Sequence, residues 1–204
     1  MELTDALTQV SEIRRLMERS ETFRGYRAAT AAFSALVAVA SAAIQPFVVP
    51  DPQADPSRYL TLWVFAALLN VSVTAVELAY RCVRAGSPWM TRQTLIAVEQ
   101  FLPCTIAGGA VTLILSWTGE DGLWMLPGLW GVIFSLGLFA SARVLPRAIL
   151  ISALYYLGAG LAVLSLARGA YAYSPWAMGA TFGGGQLLTA VILYLTLERP
   201  HVEE

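Results

Sequence analysis

Six stretches of roughly 20 or more mostly apolar residues, joined by short polar connections, constrain this chain more than any other feature. A helix rises about 1.5 Å per residue, so each stretch matches a hydrocarbon core about 30 Å thick. The backbone finds no water there, and a helix satisfies its own polar groups. The sequence therefore predicts an all-α membrane protein. Its six transmembrane helices are expected at roughly 26–49, 59–80, 94–117, 123–145, 147–167 and 175–197.

The connections carry turn chemistry: Asp51-Pro52-Gln53-Ala54-Asp55-Pro56-Ser57, then Gly86-Ser87-Pro88, then Gly119-Glu120-Asp121-Gly122, and Pro146-Arg147 ahead of the fifth span. None has room for a soluble catalytic module, so 26–199 reads as one six-helix bundle followed by a tail at 200–204. Ala40-Ser41-Ala42 resembles a signal-peptide cleavage site, but the region before the apolar core is long and carries acids, so the first span is expected to be retained. Charged residues make up 13% of the chain, against about 25% in soluble domains, which agrees with a membrane class.

Residues 1–25 read differently. Leu3, Leu7, Val10, Ile13 and Met17 recur at three- and four-residue spacing among Glu2, Asp5, Glu12, Arg15, Glu18 and Arg19, the pattern of an amphipathic cytoplasmic helix. Two roles stay open for it: lying in the membrane interface, or packing on a partner helix.

All thirteen basic residues are arginine, a composition expected of a GC-rich bacterial genome. With the N-terminus inside, eleven arginines (14, 15, 19, 24, 27, 81, 84, 92, 143, 147 and 199) fall on the inner side and only Arg58 and Arg168 on the outer. The bacterial inner membrane, with both termini cytoplasmic, is the expected location. Trp63, Trp117, Trp124, Trp176, Tyr171 and Tyr173 then collect at the outer interface as an aromatic belt.

Ionisable groups at membrane depth are costly and mark functional sites. Glu77 and Glu99 are the two acids within apolar spans. Helical spacing sets Asn70, Thr74, Glu77 and Arg81 on one face of the second span, and Gln93, Gln100, Cys104 and Gly108 on one face of the third. Thr30, Ser34, Ser41 and Gln45 stripe the first, and Gln186 follows the glycines of the sixth. Polar groups in hydrocarbon need partners, so Asn70, Glu77, Glu99, Gln100, Cys104 and Gln186 are expected to line a polar seam, a ligand pocket or proton path. The alternative is local pairing of each acid with a nearby arginine, Glu77 with Arg81 and Glu99 with Arg92 or Arg143. Gly108, Gly109, Gly158, Gly179, Gly183 and Gly184 are expected at close helix contacts.

Several chemistries are excluded. The single histidine, His201, lies in the tail, which removes bis-histidine haem ligation, a serine–histidine dyad and histidine zinc sites. Without lysine there is no retinal Schiff base. Cys82 and Cys104 sit at different depths, against the Cα separation of about 7 Å that a disulfide needs. A net charge of −1 argues against nucleic acid. No metal, cofactor or catalytic residue is assigned; the partners expected are the bilayer and a protein partner or second copy of the chain.

The segment Glu12-Ile13-Arg14-Arg15-Leu16-Met17-Glu18-Arg19-Ser20 with Phe23, the stretch Leu102-Pro103 to Ala107-Gly108-Gly109-Ala110, and Phe182-Gly183-Gly184-Gly185 together resemble a group of bacterial six-helix membrane proteins of unassigned activity. The N-terminal motif carries most of the specificity. Such proteins are often encoded beside winged-helix transcription regulators. The resemblance implies a stress- or envelope-sensing role through a partner, and Gln186 stands where the group is expected to have an aromatic or histidine. An accessory subunit of a larger complex and a small-solute or proton transporter are the other functional readings. Reporter fusions test the topology: alkaline phosphatase is expected to be active when fused within 51–57 and inactive when fused at the tail.

Overall fold

The computed structural model describes residues 28–85, 88–167 and 169–198. Every regular element among them is helical, and six helices are long and apolar enough to cross a membrane. They are α1 (Ala28–Val48), α2 (Pro56–Ala85), α3 (Pro88–Thr118), α4 (Leu126–Ser141, entered through a 3-10 turn at Glu120–Met125), α5 (Ile149–Leu166) and α6 (Pro175–Glu198). The chain is a multi-pass all-α membrane protein. The amphipathic segment with Leu3, Leu7, Val10, Ile13 and Met17, and the tail, lie outside the described residues.

Local chemistry explains the boundaries. Asp51 Oδ1 accepts the N–H groups of Gln53 and Ala54, closing the turn after α1. Asp55 then caps α2, accepting from the Ser57 hydroxyl at 2.6 Å and the Arg58 N–H at 3.0 Å, with Pro56 as the first helical residue. The Ser57 hydrogen bond, with help from Arg58, holds this carboxyl below its ordinary value of 3.8. The fourth span is shorter than expected: α4 stops at Ser141, whose carbonyl accepts from Val144 and Leu145, and α5 starts at Ile149 rather than 147. Pro146 cannot donate to a helix and disfavours helical geometry at Leu145. α2 and α3 instead run to 30 and 31 residues, roughly 45 Å each, and so outreach the hydrocarbon core at their arginine-bearing ends.

α1 and α6 pack through small residues. Ala28, Ala31, Ala35, Ala38 and Ala42 recur every three or four residues on α1 and are all buried. Opposite them lie Gly179, where a Cβ would come 2.7 Å from Ala42, and Gly183, where it would come 2.8 Å from Val39. α6 leaves regular α geometry here: Gly179–Gly184 is a π turn between Pro175–Met178 and Gly185–Leu193, and Tyr194–Glu198 is a second. On its other side α6 meets α5. Tyr155 donates to the Ala180 carbonyl at 2.7 Å and Tyr156 to that of Phe182 at 3.4 Å, and the two phenols fill the space that side chains at Gly184 and Gly185 would need.

α4 packs on α5 and α3, and α2 packs on α1, whereas α2 and α3 touch little although consecutive. Of the glycines expected at contacts, Gly179, Gly183 and Gly184 stand at them, and Gly108 reaches Ile133 on α4 only at ordinary distance. Gly109 and Gly158 are corrected: each is exposed and faces open space. The tight α4–α5 crossing uses Gly128, Gly131 and Gly160 instead, with a Cβ at Gly160 only 2.8 Å from the Gly128 carbonyl oxygen. Gly109 and Gly158 precede or follow the contact face by one or two positions, a rotation of about 100° per residue that sequence spacing alone does not resolve.

The aromatic belt needs a correction as well. Trp117, Trp176 and Tyr171 are exposed, but Trp63 and Tyr173 are 3% and 7% exposed and belong to the interior. Gln45, itself 1% exposed, holds them: its amide donates to the Tyr173 carbonyl at 2.8 Å and accepts from the Trp63 indole at 3.0 Å. Tyr59 stacks edge-on against Tyr173 at 5.1 Å, so one buried glutamine joins α1, α2 and the connection into α6.

Overpacking a filled contact typically costs ~1–3 kcal/mol. Gly160→Val is expected to lower the melting temperature in detergent or abolish folded yield, while Gly158→Val, two residues away in open space, leaves both unchanged.

Candidate functional site

The separation of α2 from α3 leaves a cleft of about 340 Å³ between them, closed from behind by α1, α4 and α6. The wall is mainly apolar. Phe101 of α3 and Phe134 of α4 form its floor, in an edge-on pair at 5.1 Å that continues through Tyr156 and Phe182 into the bundle centre. Hydroxyl and amide groups interrupt it: Asn70 and Thr74, one turn apart on α2, face Ser34 of α1 and Gln186 and Thr189 of α6. The rim residues Val71, Val98 and Leu102 are exposed on the outer surface of the bundle. In a membrane that surface meets lipid, so the cleft is entered sideways.

Thr189 is anchored by donating to the Gly185 carbonyl at 2.9 Å. Asn70 Oδ1 is buried and has no hydrogen-bond partner among the described residues. An unpaired amide oxygen in a low-dielectric interior costs about 1–3 kcal/mol, so Asn70 is a cleft position with polar capacity held in reserve. The wall carries no charged side chain among the described residues.

The six residues expected to share one polar seam divide. Asn70 and Gln186 line the cleft. Glu77 does not: it accepts the Thr30 hydroxyl of α1 and pairs with Arg81 at 3.1 Å, with side chains 29% and 18% exposed, so the local-pairing alternative describes it. Glu99 is exposed on the outer face of α3 with no partner among the described residues. Gln100 lies outside the cleft lining, with Oε1 buried and without a hydrogen-bond partner among the described residues. Cys104 donates to the Phe101 carbonyl at 3.1 Å and sits against Gly137 of α4. The seam through both glutamates is therefore not formed, because residues Glu99 and Gln100 point about 100° apart and α3 buries little of either face. Pro103 lies within a continuous α3 and is exposed.

The expected mutual facing of the polar stripes of the first, second and sixth spans is met at the cleft by Ser34, Thr74 and Gln186. Sequence reading passed over Thr189, whose signal was its position three residues after Gln186 on the same face. The phenylalanine floor had no distinguishing signal among so many apolar residues.

Glu77→Ala removes the acceptor for both Thr30 and Arg81 and is expected to lower stability by ~1–3 kcal/mol in detergent unfolding. Glu99→Gln, at an exposed and unpartnered site, is expected to stay within about 0.5 kcal/mol of the parent.

No protein-family model matches the sequence, and the comparisons with curated proteins and with solved structures find no match.

Proposed function

We propose that the chain is a non-enzymatic sensor of the bacterial inner membrane, taking a small lipophilic ligand into the α2–α3 cleft and passing the signal to a protein partner. The observation that carries this reading is the cleft itself: about 340 Å³, at the lower end of the range for ligand pockets, apolar with a few convergent hydroxyl and amide groups. Such groups orient a ligand. A hydroxyl needs an adjacent base to act as a nucleophile, and no acid or histidine lines the wall among the described residues. The cleft opens where two helices touch least, so an occupant bears directly on their separation. Both helices end in the segment that bears Arg81, Arg84 and Arg92, which an orientation with the N-terminus inside puts on the cytoplasmic side, the side also expected for the amphipathic sequence 1–25. The resemblance to proteins encoded beside transcription regulators fits an output of this kind.

A second reading, an accessory subunit of a larger complex, draws on Glu99. An exposed carboxylate inside the apolar segment Thr94–Thr118 is expensive in lipid and is satisfied by a cation from another chain.

Native mass spectrometry of nanodisc-purified protein from its own membrane separates the two. A small molecule bound one-to-one and lost in Ala75→Trp, a substitution at the exposed cleft wall, supports the sensor. Stoichiometric protein subunits that leave on Glu99→Gln, with an empty cleft, support the accessory reading and overturn the first.

A further inference from the structure

The chemistry of the cleft restricts what enters it, and this step rests on the ligand-binding reading above. The wall offers no charged side chain among the described residues, and moving an unpaired charge from the interface to membrane depth costs several kcal/mol or more. Fatty-acid anions, phosphate headgroups and ammonium groups are disfavoured for that reason. A plain hydrocarbon is equally poor, because it would cover Asn70 and Thr74 without bonding either. The volume suits one chain rather than the two of a phospholipid.

Asn70 decides the remainder. It stands near the middle of α2, lines the cleft, and keeps Oδ1 without a partner. Rotation about its terminal torsion exchanges the amide oxygen and nitrogen, so the side chain presents an acceptor or a donor to the cleft. Only a group that both donates and accepts meets either arrangement, and a hydroxyl does so while staying uncharged. Thr74, one turn further along α2 on the same wall, supplies a second such group. Behind them Phe101 and Phe134 offer an aromatic floor to the chain of the ligand.

We infer that the α2–α3 cleft binds a neutral, hydroxyl-bearing, single-chain lipid that enters sideways from the bilayer and hydrogen-bonds the Asn70 amide. The exposed apolar rim at Val71, Val98 and Leu102 is continuous with the surface the bilayer covers, so the ligand arrives along a path that never requires it to leave lipid.

The test uses the full chain in phosphatidylcholine nanodiscs with three photoactivatable probes of equal length, each with a mid-chain diazirine: hexadecanol, hexadecanoic acid and hexadecane. Adducts are mapped by peptide mass spectrometry. The alcohol is expected to label 97–105 of α3 and 70–78 of α2 saturably, in competition with unlabelled hexadecanol. Asn70→Leu is expected to raise the competing concentration about tenfold, the equivalent of ~1.4 kcal/mol, with an unchanged melting temperature. Ala75→Trp is expected to abolish cleft labelling while leaving labelling at the lipid-facing Leu36 and Leu154 intact. Saturable labelling by the acid or the hydrocarbon as strong as by the alcohol, or indifference to Asn70→Leu, overturns the hydroxyl assignment and leaves the cleft standing. Labelling of the cleft no stronger or more saturable than at Leu36 and Leu154 for all three probes overturns the ligand-binding reading itself.

Discussion

Apolar side chains gain nothing in hydrocarbon by turning from lipid to protein, so helix association in this chain rests on close approach and on hydrogen bonds. Small residues supply the approach. The alanine stripe of α1 meets Gly179 and Gly183 of α6, and Gly128, Gly131 and Gly160 let α4 and α5 cross with their backbones nearly touching. Between α2 and α3 no glycine makes such a contact among the described residues, and the helices part although Ala75 and Ala97 face the cleft.

Hydrogen bonds then fix α2 at its ends and leave its middle unsupported. At one end Trp63 donates to Gln45 of α1, and Tyr59 packs on Tyr173. At the other, Thr30 donates to Glu77, and Cys82 donates to Thr94 of α3 at 3.4 Å. Between these anchors lie Asn70 and Thr74, facing the cleft. A similar tie closes the bundle at the arginine-bearing end, where the Ala28 N–H donates to Glu198 at 3.0 Å and joins the start of α1 to the end of α6.

The π turn of α6 links packing to the site. π turns inside α-helices are uncommon and cluster at functional positions. Here the tyrosines of α5 bond two of its carbonyls, and the glycines make room for their rings. Gln186 and Thr189 follow immediately and form the back wall of the cleft. The register of α6 past the glycine run decides which residues those are.

The sequence by itself determined the six helices, most of their limits and the location of nearly all charge outside the spans, because hydrophobic length and turn chemistry are local properties. It also identified Asn70 and Gln186 as polar residues at membrane depth. Only the tertiary structure decided which face of each helix meets which neighbour. That choice separated Glu77, paired with Arg81 and Thr30, from Glu99, exposed on α3. It drew Trp63 and Tyr173 into the interior, and it put Gly160 rather than Gly158 at the α4–α5 crossing. In water the apolar face of a helix declares itself against a polar one; in lipid both faces are apolar, and orientation is set by small volumes and single hydrogen bonds that periodicity does not display.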